Sequence, residues 1–111
     1  MNGKIARGKR IDNGELIVGE LVVKFFPKKA ECTIYSIPVE SQKIDYFTGK
    51  IDKNGRQIFS GDIVRYDGKD YEIAIYDNSF IMGNVGIDLY CEKEFDEMAV
   101  VGNIHTHEIK Q

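Results

Sequence analysis

His105 and His107 alternate near the end of the chain, and alternate residues of an extended strand project from one side, so the pair would form half of a metal site. Such a site needs a third and usually a fourth ligand. None of the carboxylates or cysteines stands at a recognisable distance in sequence, so a solvated tail is expected and no metal is assigned. Residues 52–55, Asp-Lys-Asn-Gly, offer the oxygens of a calcium loop. The glycine comes too early, however, and the closing position holds Ile63 in place of a bidentate Glu, which excludes that reading. Cys32 and Cys91 lie outside any Cys-x-x-Cys spacing, which removes simple zinc and thioredoxin-type chemistry and leaves two reduced, partly buried thiols. The sequence has no nucleophile elbow, phosphate-cradling glycine loop or His-Glu-x-x-His helix. The expectation is a chain that is not an enzyme, without catalytic residues and without a cofactor.

Binding chemistry remains. Lys50, Lys53, Arg56, Arg65, Tyr66, Lys69 and Tyr71 fall in one short stretch, and basic and aromatic side chains on one face of a small barrel recognise nucleic acid. Asp52, Asp62, Asp67, Asp70 and Glu72 interleave with them and cancel the field. The net charge of −3 likewise gives the whole molecule no attraction for polyanions. Nucleic acid is therefore the alternative partner. The favoured reading is a non-catalytic binding or assembly module, either a homo-oligomer or one bound to another protein, because the strand 32–37 is expected to be an exposed edge open to pairing. Charge is also uneven along the chain. Residues 1–31 hold seven Lys or Arg against four acids, and residues 90–111 hold two against five; with both signs interspersed throughout, this reads first as ordinary solvated faces, with head-to-tail association of copies as the alternative.

The elements that must position these residues are short. A chain of 111 residues with 42% hydrophobic and 30% charged residues supports one ordinary domain with its own core. Six Tyr, six Phe and eleven Gly favour pleated sheet with frequent turns. Asn13-Gly14 marks a first hairpin between residues 6–12 and 15–26, with a bulge or bend at Gly19. Residues 27–30 read as a turn, 32–39 as one edge strand carrying Pro38, and 40–43 as an irregular linker. Then come strands over 46–51, 57–59, 63–66 and 71–76, punctuated by the turns 52–55 and 67–69, followed by candidate strands over 80–82, 87–90 and 98–104. Residues 92–97 suit a single helical turn. The fold class predicted is mostly β with little helix: an N-terminal hairpin unit over 1–44 and an SH3-like partial barrel over 45–111. No apolar run approaches the length that spans a bilayer, and the charged start of the chain does not read as a signal peptide. No membrane partner is expected, and the expected compartment is the cytoplasm of a bacterial host.

Residues 47–64, Phe-Thr-Gly-Lys-Ile-Asp-Lys-Asn-Gly-Arg-Gln-Ile-Phe-Ser-Gly-Asp-Ile-Val, resemble the signature of the YopX family, in which a T-G-x-x-D-K-N-G turn runs into an apolar strand and a G-D-I-V strand. Residues 7–12 with Gly14-Glu15 agree near the start, as do Phe95-Asp96-Glu97 and residues 100–104 near the end. Two positions depart from the pattern: Ser60 stands where the family usually has an acid, and His105-Thr106-His107-Glu108 replaces the usual Tyr/His-x-Asn/His-Pro. The resemblance implies a compact β-rich protein encoded by phages and prophages, and it carries over no catalytic residues. The signature also makes sense as structure alone. Gly49, Gly55 and Gly61 sit where unusual backbone angles are needed, and Asp52, Asn54 and Asp62 are placed to bond nearby backbone N–H groups.

Overall fold

The structure, a computed structural model, describes residues 4–77 and 79–105. Among these it is built almost wholly of antiparallel strands, as the turn-rich, aromatic sequence predicts: β1 (Ile5–Lys9), β2 (Leu16–Phe26), β3 (Lys29–Ile34), β4 (Ile37–Val39), β5 (Asp45–Ile51), β6 (Gln57–Phe59), β7 (Asp62–Tyr66), β8 (Lys69–Tyr76), β9 (Ser79–Met82), β10 (Val85–Gly86) and β11 (Ala99–Asn103). One helical turn, α1 (Glu92–Phe95), precedes β11. The chain divides into two compact units, residues 1–47 and 48–111.

In the first unit the strands lie in the order β4-β3-β2-β1-β5. The β1–β2 hairpin turns through residues 11–14, where only Gly14, at φ +74°, enters the left-handed region; Asn13 instead accepts the Glu15 N–H on its side-chain oxygen at 2.9 Å. The tight turn with two left-handed residues expected of Asn-Gly is thus replaced by a longer one. β2 is long enough to serve two partners. Its first half pairs with β1 and its second half, from Leu21 onward, with β3. The handover lies beside Gly19, and the space a Cβ would fill there is taken by the Tyr35 ring at 2.6 Å and Ile34 at 2.8 Å. The small core of this unit is Cys32, Ile34 and Val39, backed by Ile17, Leu21 and Ile44.

The predicted single strand over 32–39 is in fact two. Tyr35 and Ser36, at φ 52° and 65°, both adopt the left-handed conformation and reverse the chain in a two-residue hairpin between β3 and β4. This corrects the expected edge as well: β3 is paired on both sides, and β4 takes the edge. Even that edge is partly covered, because Arg10 bridges Val39, the Ile11 N–H donates to Pro38 O at 3.2 Å and the Glu40 N–H donates to Lys9 O at 2.9 Å. Arg7 and Asp45, mostly buried and opposite each other on β1 and β5, form an ion pair at 2.8 Å.

In the second unit β7, β8, β9 and β10 form a meander and β11 returns beside β7, giving the order β10-β9-β8-β7-β11. The core is Ile58, Val64, Ile73, Met82, Ile87, Phe95, Met98 and Val100, with Tyr66, Tyr71, Phe80 and Tyr90 packed against it. The sheet is open and antiparallel: the partial barrel expected over 45–111 does not close into a barrel. β10 is only two residues long, and the chain then leaves the sheet in a 3₁₀ turn over Ile87–Leu89, where the alternation of residues 87–90 suggested a further strand. Sheet closure needs strands long enough to tilt and stagger around a full circuit.

Candidate binding site

Both signature aspartates, Asp52 and Asp62, are occupied by structure. Asp52 accepts the N–H groups of Asn54 and Arg56 on Oδ1, each at 2.9 Å, and the Val100 N–H on Oδ2 at 2.8 Å. Asp62 accepts the Phe59 N–H on Oδ2 at 2.8 Å and the Asn103 amide on Oδ1 at 3.0 Å. Val100 and Asn103 belong to β11, so the two carboxylates grip the last strand at two points. Backbone bonds reinforce the grip, from the Lys53 N–H to Met98 O at 2.9 Å and from the Ile104 N–H to Gly61 O at 2.8 Å. Gly49, Gly55 and Gly61 take φ of +85°, +79° and +86°, which frees the chain to place those bonds. Buried carboxylates satisfied in this way hold a fold together.

The basic and aromatic residues marked by the sequence do not share a face. Tyr66 and Tyr71 pack on the core side of β7 and β8. Arg65 points the other way and holds Asp70 in a bidentate pair at 2.8 and 3.3 Å, which raises the guanidinium pKa and lowers that of the carboxylate. Lys69 lies at the β7–β8 turn, and Lys53 and Arg56 lie exposed in the 52–55 turn region. Lys50 borders a cleft.

That cleft, of about 350 Å³, is lined by Gly49, Lys50, Ile51, Tyr90, Glu92, Phe95 and Asp96. Its aromatic side is a packed cluster: Tyr90 meets Tyr66 and Phe95 edge to face, at centroid distances of 5.9 and 6.3 Å. The Tyr66 hydroxyl donates to Glu94 Oε2 at 2.9 Å, while Glu94 Oε1 accepts the Cys91 N–H at 3.0 Å and closes the start of α1. The hydrogen bond to Glu94, with burial second, pushes the Tyr66 pKa up to about 12. Glu94 moves the opposite way, lowered first by the Cys91 N–H and then by Tyr66. Lys50 Nζ sits 3.7 Å from Asp88 Oδ1 and 5.6 Å from the centre of the Phe95 ring.

A second surface lies in the first unit, where the β2–β3 ribbon outruns its core. Its inner face starts at buried Ile34 and Cys32, passes Val23 at 39% exposure and ends at Phe25, 82% exposed. The outer face shows Val22 and Phe26, with Lys29 Nζ 5.9 Å from the Phe26 ring centre. Beyond Cys32 the ribbon continues for three more residue pairs, roughly 10 Å at the rise of a β-strand. The result is an arm with apolar side chains on both faces and Lys24, Lys28 and Lys29 exposed around its tip. The sequence carried a signal for it: residues 21–26 are apolar at both parities apart from Lys24, more than a half-buried strand needs.

The family model for YopX protein matches residues 9–108. The chain belongs to the YopX family. The paired aspartates join two pieces of this YopX chain, the 47–64 segment and the strand ending in Gly102-Asn103-Ile104, since each completes the other's hydrogen bonds. Among solved structures, the crystal structure of protein EF1440 from Enterococcus faecalis is similar in fold, with a TM-score of 0.57 over 92% of this chain and 93% of that one, at 24% identity. No curated protein matches the chain.

Of the remaining chemistry, Cys32 is buried and Cys91 exposed, both free. His105 is exposed, its N–H donating to Asn103 Oδ1 at 2.8 Å, and His107 lies outside the described residues. Among the described residues no three His, Cys, Asp or Glu side chains converge on a metal site, and no helix is long and apolar enough to cross a membrane.

Proposed function

We propose that this YopX-family chain is a phage or prophage accessory protein that acts by binding, and that the β2–β3 arm is its contact surface for a protein partner. The phage setting is what the family implies. The non-catalytic reading is supported by the signature carboxylates, whose oxygens are engaged by backbone and amide donors.

The arm carries the reading. A two-stranded ribbon is marginal in water unless one face is packed, and this one exposes Val22, Val23, Phe25 and Phe26 over both faces. Large aromatic side chains on a projecting element are the usual anchors of protein interfaces. Replacing Phe25 by photo-reactive benzoylphenylalanine, in host cells expressing the chain from its own phage or prophage, is expected to give a discrete protein adduct. The same probe at Glu72, exposed on the outer face of β8, is the control; equal labelling from both positions would remove the proposal.

A further inference from the structure

The arm carries charge as well as apolar surface, and the cleft of the second unit carries the complement. Residues 24–31 hold three lysines against one glutamate, and residues 88–97 hold five acids against one lysine. All three lysines are exposed, as are Asp88, Glu92, Asp96 and Glu97. The cleft has Tyr90 and Phe95 on one side, exposed Ile51 on another and the carboxylates of Glu92 and Asp96 at its rim. Its own cation, Lys50, already faces Asp88 and the Phe95 ring. An aromatic, acid-rimmed cleft accepts an aromatic group on an ammonium-bearing tip, and Phe25, beside the Lys28 turn at the end of the arm, is such a group.

We propose that the arm of one copy docks in the Tyr90–Phe95 cleft of a second copy, Phe25 entering between the aromatic rings and Ile51 while the lysine-bearing tip around Lys28 meets the acidic rim of Glu92 and Asp96. This inference rests on the arm being a contact surface and names its partner as the chain itself. Pairing of arm with arm is opposed, because it would bring six lysines together. A contact between unlike surfaces closes as a dimer where two copies engage each other's clefts reciprocally, and otherwise propagates into a ring or an open chain.

Charge exchange tests it. The arm variant carries Lys24→Glu, Lys28→Glu and Lys29→Glu; the cleft variant carries Glu92→Lys and Asp96→Lys. Sedimentation velocity at rising concentration and low salt is expected to show the native chain growing from 12.6 kDa to a mean mass about twofold or more higher. Each variant alone is expected to remain a monomer. The two mixed in equal amounts recover association, because each then offers the other an opposite charge, and this recovery also shows that both variants fold. A native chain that stays monomeric, or a cleft variant that associates like the native chain, overturns the proposal. In either case a persisting protein adduct from position 25 would leave the arm as a contact surface for a different protein, whereas loss of that adduct would remove both readings. Salt-sensitive binding of a labelled single-stranded oligonucleotide by a monomeric native chain, lost in the arm variant, would likewise overturn it in favour of nucleic acid.

Discussion

The Asn103 side-chain amide donates to Asp62 Oδ1 at 3.0 Å across 41 residues of sequence, with both side chains buried. This bond closes β11 onto β7 at the pair Asn103↔Asp62, the far end of a ladder already interrupted between Val100 and Gly102. A double-mutant cycle with Asp62→Ala and Asn103→Ala is expected to give a coupling of about 1.5–3 kcal/mol in urea unfolding, the size of a buried hydrogen bond to a charged group. Additive effects would mean that the two residues act separately.

Asp52 has the larger individual role. Its removal strands three backbone N–H groups, those of Asn54, Arg56 and Val100. At about 1–3 kcal/mol for the buried Val100 N–H left unpaired, and less for the Asn54 and Arg56 N–H groups on exposed residues, Asp52→Ala is expected to cost about 2–4 kcal/mol in urea unfolding. Asp52→Asn keeps one accepting oxygen and is expected to cost less.

How much of this could be read beforehand follows the turn chemistry. The strands over 57–59, 63–66 and 71–76 were legible because residues 52–55 and Asp67-Gly68 name their own turns. The hairpin inside 32–39 was not, since Tyr35-Ser36 carries no residue that favours positive φ; what fixes it is the Tyr35 ring over Gly19, a contact between distant segments. Residues 87–90 alternate as a strand does, yet Ile87 is buried in the core while Asp88 and Leu89 are exposed in a 3₁₀ turn. The cleft was invisible for a related reason. Lys50 and Phe95 are brought together by the fold, and no local pattern marks the pair.

The Tyr66–Glu94 bond makes a prediction about pH. Glu94 has a lowered pKa, so its contribution to stability is complete above the ordinary carboxylate range and is lost as pH falls through the lowered value. Tyr66 is raised from 10.0 to about 12, so its contribution is complete below 10.0 and is lost as pH rises through about 12. The difference in tyrosinate absorbance between the native chain and Tyr66→Phe is expected to titrate near 12. Glu94→Gln should move that midpoint down towards 10.0, and an unmoved midpoint would assign the shift to burial instead.

The Tyr35-Ser36 turn holds strain that a single change can release. Ser36 sits at φ 65°, a conformation that costs a residue with a Cβ about 1 kcal/mol or more. Ser36→Gly is expected to stabilise the chain by up to about 1 kcal/mol, part of the gain being offset by the greater freedom of glycine in the unfolded chain. The thermal midpoint reads this directly, and a fall would show that the serine hydroxyl contributes more than its backbone costs.

The proposed contact surface requires that Phe25 and Phe26, both exposed, add little to the fold of their own chain. Urea unfolding of Phe25→Ser/Phe26→Ser at a concentration where the chain is monomeric tests this most directly. The expected change is within about 1 kcal/mol, as for exposed strand positions. A loss of about 3–5 kcal/mol per phenylalanine, the cost of emptying a packed core, would place both rings in the core and contradict the account.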